Sequence, residues 1–236
     1  MMRNLFLTLG LLFLFSGTAF AATGDTVPAY RLTYEEQEAG TDSYKTQYIV
    51  TDRFLRINDL SEPDGFVLYD DKTRTIYSVS MFDHRTLVMK NSKYKKIELD
   101  KLVETSYLPL EDAPKISGHT VSRYQVNVKG QKNVICADIQ VADKLLPQVT
   151  KMLQRYKQVL AANQVSELHK TPGKFKTPCF IADQVYDDGS YYSKGLPVLE
   201  WHSNNARKTL LNFEKVKVNP ELFVAPAGYE EFSLPD

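Results

Sequence analysis

The chain has 236 residues, 29 Lys and Arg against 29 Asp and Glu, and a formal net charge of zero. That balance excludes a dedicated nucleic-acid binder, which would carry a basic footprint. The length supports one sizeable core or two small ones, and 14 Tyr with 12 Phe suit a β-rich fold.

Residues 1–21 read as a secretory signal peptide. Arg3 supplies the positive end, an apolar run of 11 residues follows from Leu5 to Phe15, and Ala19-Phe20-Ala21 forms a small-x-small site with cleavage before Ala22. The run is short of the roughly 20 residues that span a bilayer, and no later run reaches that length. No Cys follows the site, so no lipid anchor is expected. Residues 22–236 are expected to form a single β-rich domain, periplasmic or secreted. Loss of Arg3 leaves 28 basic residues against 29 acidic.

The mature chain opens on alternation. Tyr30, Leu32 and Tyr34 alternate with Arg31, Thr33 and Glu35, as in a half-buried strand. Strands follow over 44–50, 53–57, 66–69, 75–80 and 86–90, separated by turn chemistry such as Ser61-Glu62-Pro63-Asp64-Gly65 and Asp83-His84. Six strands at about ten-residue spacing predict an antiparallel meander. Residues 91–97 are basic, with Lys93, Lys95 and Lys96 around Tyr94. Residues 102–114 are less regular, with Pro109 and Pro114 marking a connection. A hairpin is predicted from 124–128 and 135–141 around Lys129-Gly130-Gln131-Lys132-Asn133.

One long helical pattern interrupts the strands, over about 143–168. Leu145, Leu146, Val149, Met152, Leu153, Tyr156, Val159 and Leu160 keep the three-and-four spacing of one face. Asp143 is a plausible N-cap, Pro147 falls near the first turn, and Pro172-Gly173 ends the region. The other face carries Lys151, Arg155 and Lys157. It reads as a solvated face or as a basic surface for anionic lipid or an acidic partner. Strands are then predicted over 180–186, 198–202 and 210–218, and the tail over 219–229 reads as a turn pinning Phe223 and Tyr229 to the sheet.

Cys136 and Cys179 are the only cysteines and flank the helix. In an exported chain such a pair is expected to form one disulfide. A redox role would prefer closer cysteines, and a metal site would want more ligands. Asp138 shares the alternation phase of Cys136, so this face is read as partly wet.

A meander of about ten strands with one helix cannot bury both faces as a flat sheet, which predicts a mainly β (α+β) curled sheet or half-barrel closed by the helix. This architecture, with the terminal pattern Val218-Asn219-Pro220-Glu221-Leu222-Phe223-Val224-Ala225-Pro226-Ala227-Gly228-Tyr229, resembles the lipoprotein-carrier superfamily of LolA, LolB and RseB-type periplasmic sensors. That family's usual order sets a helix early, whereas here six strands come first. The resemblance implies lipid or lipoprotein carriage in the cell envelope.

No nucleophile elbow, Walker loop or His-Glu-x-x-His pattern is present. His84, His119, His169 and His202 lack ligand spacing, so neither a metal nor a cofactor is expected. Asp83-His84 sits in a turn with no activated serine, and Asp183, Asp187 and Asp188 lack the closing Glu of a calcium loop. A non-catalytic binding protein follows. Leu32, Tyr34, Tyr48, Tyr77, Val79 and Leu87 would line a pocket for an acyl chain or another apolar ligand, while Lys93, Lys95, Lys96, Lys151, Arg155 and Lys157 would meet a membrane or partner. The alternative is an envelope protein–protein or stress-sensing module with a filled core.

Overall fold

A computed structural model describes residues 25–90, 101–168, 170–183 and 189–233, without the side chains of 166 and 167. The predicted signal peptide and Lys93, Lys95 and Lys96 lie outside the described residues.

Six antiparallel strands come first: β1 (Val27–Gln37), β2 (Tyr44–Val50), β3 (Phe54–Asp59), β4 (Gly65–Asp70), β5 (Thr75–Ser80) and β6 (Arg85–Lys90). A second group follows: β7 (Val103–Pro109), β8 (Val121–Val128), β9 (Gln131–Asp143), β10 (Gly195–His202) and β11 (Arg207–Val218), with α1 (Pro147–Leu168) and the short α2 (Pro178–Ile181) between β9 and β10. The four-residue β12 (Glu230–Ser233) ends the described chain. All twelve strands form one open sheet in the order β12-β6-β5-β4-β3-β2-β1-β11-β10-β9-β8-β7. Two meanders therefore meet at the β1–β11 pair, where Val27 faces Val218 and Gln37 faces Arg207. Only β12 runs parallel to its neighbour, placing Phe232 beside Leu87.

The expected class is right and the count is not. Two strands were missed. β7 lies in the stretch read as irregular, and its pattern is weak because it is an outermost strand with half-exposed residues and a terminal proline. β12 has four exposed residues and no apolar phase to detect. Of the strand expected over 180–186, residues 184–186 lie outside the described residues, and the part before them is not extended: Pro178–Ile181 is a helical turn capped by Thr177, whose side chain accepts from the Phe180 N–H. A short apolar run does not by itself separate strand from helix.

The helix α1 starts at Pro147, four residues later than expected, because Lys144 and Leu146 take left-handed φ of 56° and 48° and turn the chain first. Asp143 is the last residue of β9, not an N-cap. Its carboxylate accepts from the Tyr107 hydroxyl at 2.5 Å and from Thr120 and Ser122 at 2.8 and 2.9 Å. Val149, Met152, Leu153, Tyr156, Val159 and Val165 bury one face of α1 against the sheet, together with Leu32, Leu55, Tyr69, Ile76, Val126 and Ile139. Gly195 allows the close β9–β10 approach below this face, since a Cβ there would lie 2.1 Å from the Ala142 carbonyl oxygen.

The expected disulfide joins Cys136 of β9 to Cys179 of α2. It ties the segment after α1 back to the sheet across a separation of 43 residues. Asp138 does not share its face. A register shift between Val126 and Asn127 breaks the alternation beside Cys136, which packs in the core while Asp138 lies outside with Arg123 and Gln125.

A second, smaller core occupies the other face of the N-terminal meander. Ala29, Ile49, Phe66, Leu68 and Val79 are covered there by Val218 and Phe223, with Phe223 stacked on Phe54 at 5.4 Å. The tail thus pins Phe223 and Tyr229 as expected, the latter edge-on to His84 at 5.2 Å. No helix among the described residues is long and apolar enough to cross a membrane.

Candidate functional site

Strand alternation brings charge into the middle of the helix-side core. Glu36 of β1 and Glu200 of β10 both pair with Lys208 of β11, in register across three adjacent strands. All three continue the inward phase, as Glu36 follows Leu32 and Tyr34 at steps of two and Lys208 faces Glu36. Lys208 Nζ lies 3.3 Å from Glu36 Oε1 and donates to the Tyr48 hydroxyl at 2.6 Å. The ammonium also sits 4.4 and 4.2 Å from the ring centres of Tyr34 and Tyr48, a favourable cation–π arrangement in a desolvated place. Thr46 donates to Glu36 Oε1 at 2.5 Å.

On the other side of the cluster the Tyr191 hydroxyl donates to Glu200 Oε2 at 3.2 Å, and His202 Nε2 stands 3.9 Å from the same oxygen. His202 Nδ1 lies 3.2 Å from Asp183 Oδ1. Burial pushes the Glu200 carboxyl up, but the neighbouring His202 and the charges of Lys208 and Lys157 outweigh it and hold it at about 2. Burial alone would lower the Lys208 ammonium, yet Glu36 and Glu200 raise it above its ordinary value. Burial pushes the Tyr34 and Tyr48 hydroxyls up, so both stay neutral donors or acceptors.

Both members of the central pair are therefore held charged. Near neutral pH Lys208 is not a free amine and Glu200 has no proton to donate, the forms that an amine nucleophile and a general acid need. It is suited to fixing the register of β1, β11 and β10 against each other under α1.

The structure divides the six predicted lining residues. Leu32, Tyr34 and Tyr48 lie in the main core at 0, 2 and 8 % exposure. Leu87 faces the same side, opposite Ser78 and two residues from the core-packed Met89. Tyr77 and Val79 are corrected, because they point away and belong to the second core. The β5 alternation was read one residue out of phase: Ile76, fully buried, is the helix-facing residue.

The basic helix face is also divided. Lys151 is exposed. Arg155 pairs with Asp71. Lys157 acts on the interior, where its charge helps to keep Glu200 ionised. Arg155 and Lys157 are thus half-buried and engaged, whereas Lys151 is exposed. Among the described residues no group of three or more His, Cys, Asp or Glu is placed to hold a metal ion. His119 Nδ1 instead meets the Asp143 carbonyl oxygen at 2.7 Å, and Asp83 accepts from Ser80 in its turn.

The cluster of Glu36, Glu200 and Lys208 was missed by sequence reasoning. Its signal was a charged residue on the apolar phase of a strand, visible at Glu36 after Tyr30, Leu32 and Tyr34.

No family model and no curated protein matches the chain. Among solved structures, an uncharacterized conserved protein from Thermus thermophilus is similar at TM-score 0.46 and 6 % identity, over 88 % of this chain and 91 % of that one. PNGF-II in its C2 crystal form is similar at TM-score 0.40 and 11 % identity, over 88 % of this chain and 31 % of the other. The chain thus spans less than a third of PNGF-II in that form.

Proposed function

We propose that the protein is a non-catalytic module of the cell envelope, exported after signal cleavage, with the half-barrel architecture of the lipoprotein-carrier superfamily and a filled core that recognises a protein partner on its outside. One observation carries the choice between carriage and docking. The space an acyl chain would need, between sheet and helix, is occupied by Leu32, Tyr34, Tyr48, Met152, Tyr156 and Val159. At its centre stands the Glu36–Lys208–Glu200 cluster. An apolar ligand entering there would desolvate three charges further or displace their partners. Inside, a void of about 20 Å³ beside Tyr191 and His202 is far below the volume of a drug-sized ligand, about 300 Å³ or more; a larger cleft of about 290 Å³ at the start of α1, lined by Tyr30, Val50, Asp52, Gln148, Val149 and Lys215, lies at the end of the strands and mixes charged with apolar walls.

The disulfide fits an exported chain, since such bonds persist in oxidising compartments. Among the described residues β7 and β12 are the outermost strands of the sheet, the position at which a partner can add a strand. Apolar-ligand carriage remains the second reading, supported by the resemblance, and it requires α1 to swing off the sheet. Titration of the mature protein with a fluorescent fatty acid tests the choice. No saturable binding is expected, and an envelope pull-down is expected to return a reproducible protein partner. Saturable fatty-acid binding, or a pull-down that returns nothing, overturns the proposal.

A further inference from the structure

The outer face of the C-terminal meander carries a groove of about 460 Å³ that includes Trp201, the one tryptophan of the chain. Its floor follows from the register. Trp201 lies between Asp138 of β9 and Arg207 of β11, and Leu199 lies between Gln140 and Thr209. Arg123 closes one side through an ion pair with Asp138, donating from Nε at 2.9 Å, and Gln125 donates to the same carboxylate at 3.1 Å. Asp138 is thereby fixed in place with accepting capacity left over. The side chains of Arg207 and Gln140 have no hydrogen-bond or ion-pair partner among the described residues.

From this groove we infer that the protein binds an acidic saccharide on Trp201. A pyranose ring has one face of C–H bonds and a rim of hydroxyls. The C–H face carries slight positive charge and matches the negative face of an indole. Each hydroxyl both donates and accepts, so it needs a mixed set of planar partners. Asp138 accepts, Arg123 donates and Gln140 does both. Arg207 is the group left over: an unpaired guanidinium at the edge of an aromatic platform takes a carboxylate in a two-pronged hydrogen bond. Arg123 and Asp138 offset each other's charge, which leaves Arg207 as the one unpaired cation of the groove, matched to a single sugar carboxylate and unfavourable to a cationic ligand. The groove volume lies within the range of small-ligand sites. It opens on the face opposite α1, so the inference stands whether or not a ligand enters between sheet and helix.

Trp201 is also the reporter. Titrate the mature protein with hexagalacturonate and, separately, with the neutral hexamer of N-acetylglucosamine, following tryptophan emission. A saturable change with the acidic sugar is expected, with tighter binding than for the neutral one. Calorimetry is expected to find that Trp201→Ala abolishes binding, that Trp201→Phe retains part of it, and that Arg207→Ala weakens the acidic sugar roughly tenfold or more while sparing the neutral one. No response to the acidic sugar, binding of the neutral sugar alone, or full binding by Trp201→Ala would each overturn the inference.

Discussion

The outer face of the sheet differs between its two halves. Over β1 to β5 it is apolar and roofed: Ala29, Ile49, Phe66, Leu68 and Val79 lie under Val218 and Phe223, and Arg56 donates to the Leu222 carbonyl oxygen at 2.7 Å to hold the tail down. Over β8 to β11 no segment among the described residues roofs it, and Arg123, Asp138, Gln140 and Arg207 stand around Trp201 with Leu110 and Leu199 beside them. Both halves share the inner core with α1. An open sheet with a helix on one face must still resolve its other face, either by covering it or by making it polar. This chain does both, and Trp201, partly exposed beside Leu110 and Leu199, is an apolar strip within the polar half. The binding role proposed above falls on the polar half, while the roofed half and the inner core hold the packed apolar residues.

The contrast can be broken in graded steps. Removing the disulfide by Cys136→Ser with Cys179→Ser is expected to cost the most, about 4 kcal/mol in the chain-entropy picture for a separation of 43 residues, read by denaturant melts of both proteins. Lys208→Met comes next at about 3 kcal/mol, since it strands Glu36 and Glu200 without their cation, and the double variant with Glu36→Met should recover part of that loss. Phe223→Ala, which opens the roof, is expected to cost about 2 kcal/mol of stability. Trp201→Ala on the polar half, where the indole is partly exposed, is expected to cost about 1 kcal/mol, less than Phe223→Ala.

Acid should act through the inner core. The Glu200 carboxyl is held at about 2 in the fold, below its ordinary 4.5. A depressed acid contributes stability that is fully present above 4.5 and lost as pH falls through about 2. Thermal midpoints measured across that window should drop more steeply for the native chain than for Glu200→Gln. Lys208 acts at the other end: its raised pKa gives stability that is present below 10.5 and lost only well above it.

Much of the frame was legible in the sequence because the meander strands are half-buried and keep strict alternation. The spans 44–50 and 75–80 match β2 and β5 to the residue. The disulfide and the single long helix followed from composition and spacing alone. Phase was harder. β5 reads Thr75-Ile76-Tyr77-Ser78-Val79-Ser80, where apolar residues fall on both phases, and each face of this strand packs against a core, so alternation carried no direction. The charged cluster was invisible for a different reason. Glu200 and Lys208 are ordinary surface residue types, and only the pairing of β1, β11 and β10 brings them together. The groove had the same obstacle, since Arg123, Asp138, Trp201 and Arg207 come from four strands.

Native mass spectrometry of the mature protein purified from its own envelope, followed by organic extraction, tests the filled core most directly. The account predicts the mass of the bare mature chain less about two daltons for the Cys136–Cys179 bond, with no lipid in the extract. A stoichiometric lipid would contradict it and make the space between sheet and helix a carrier site.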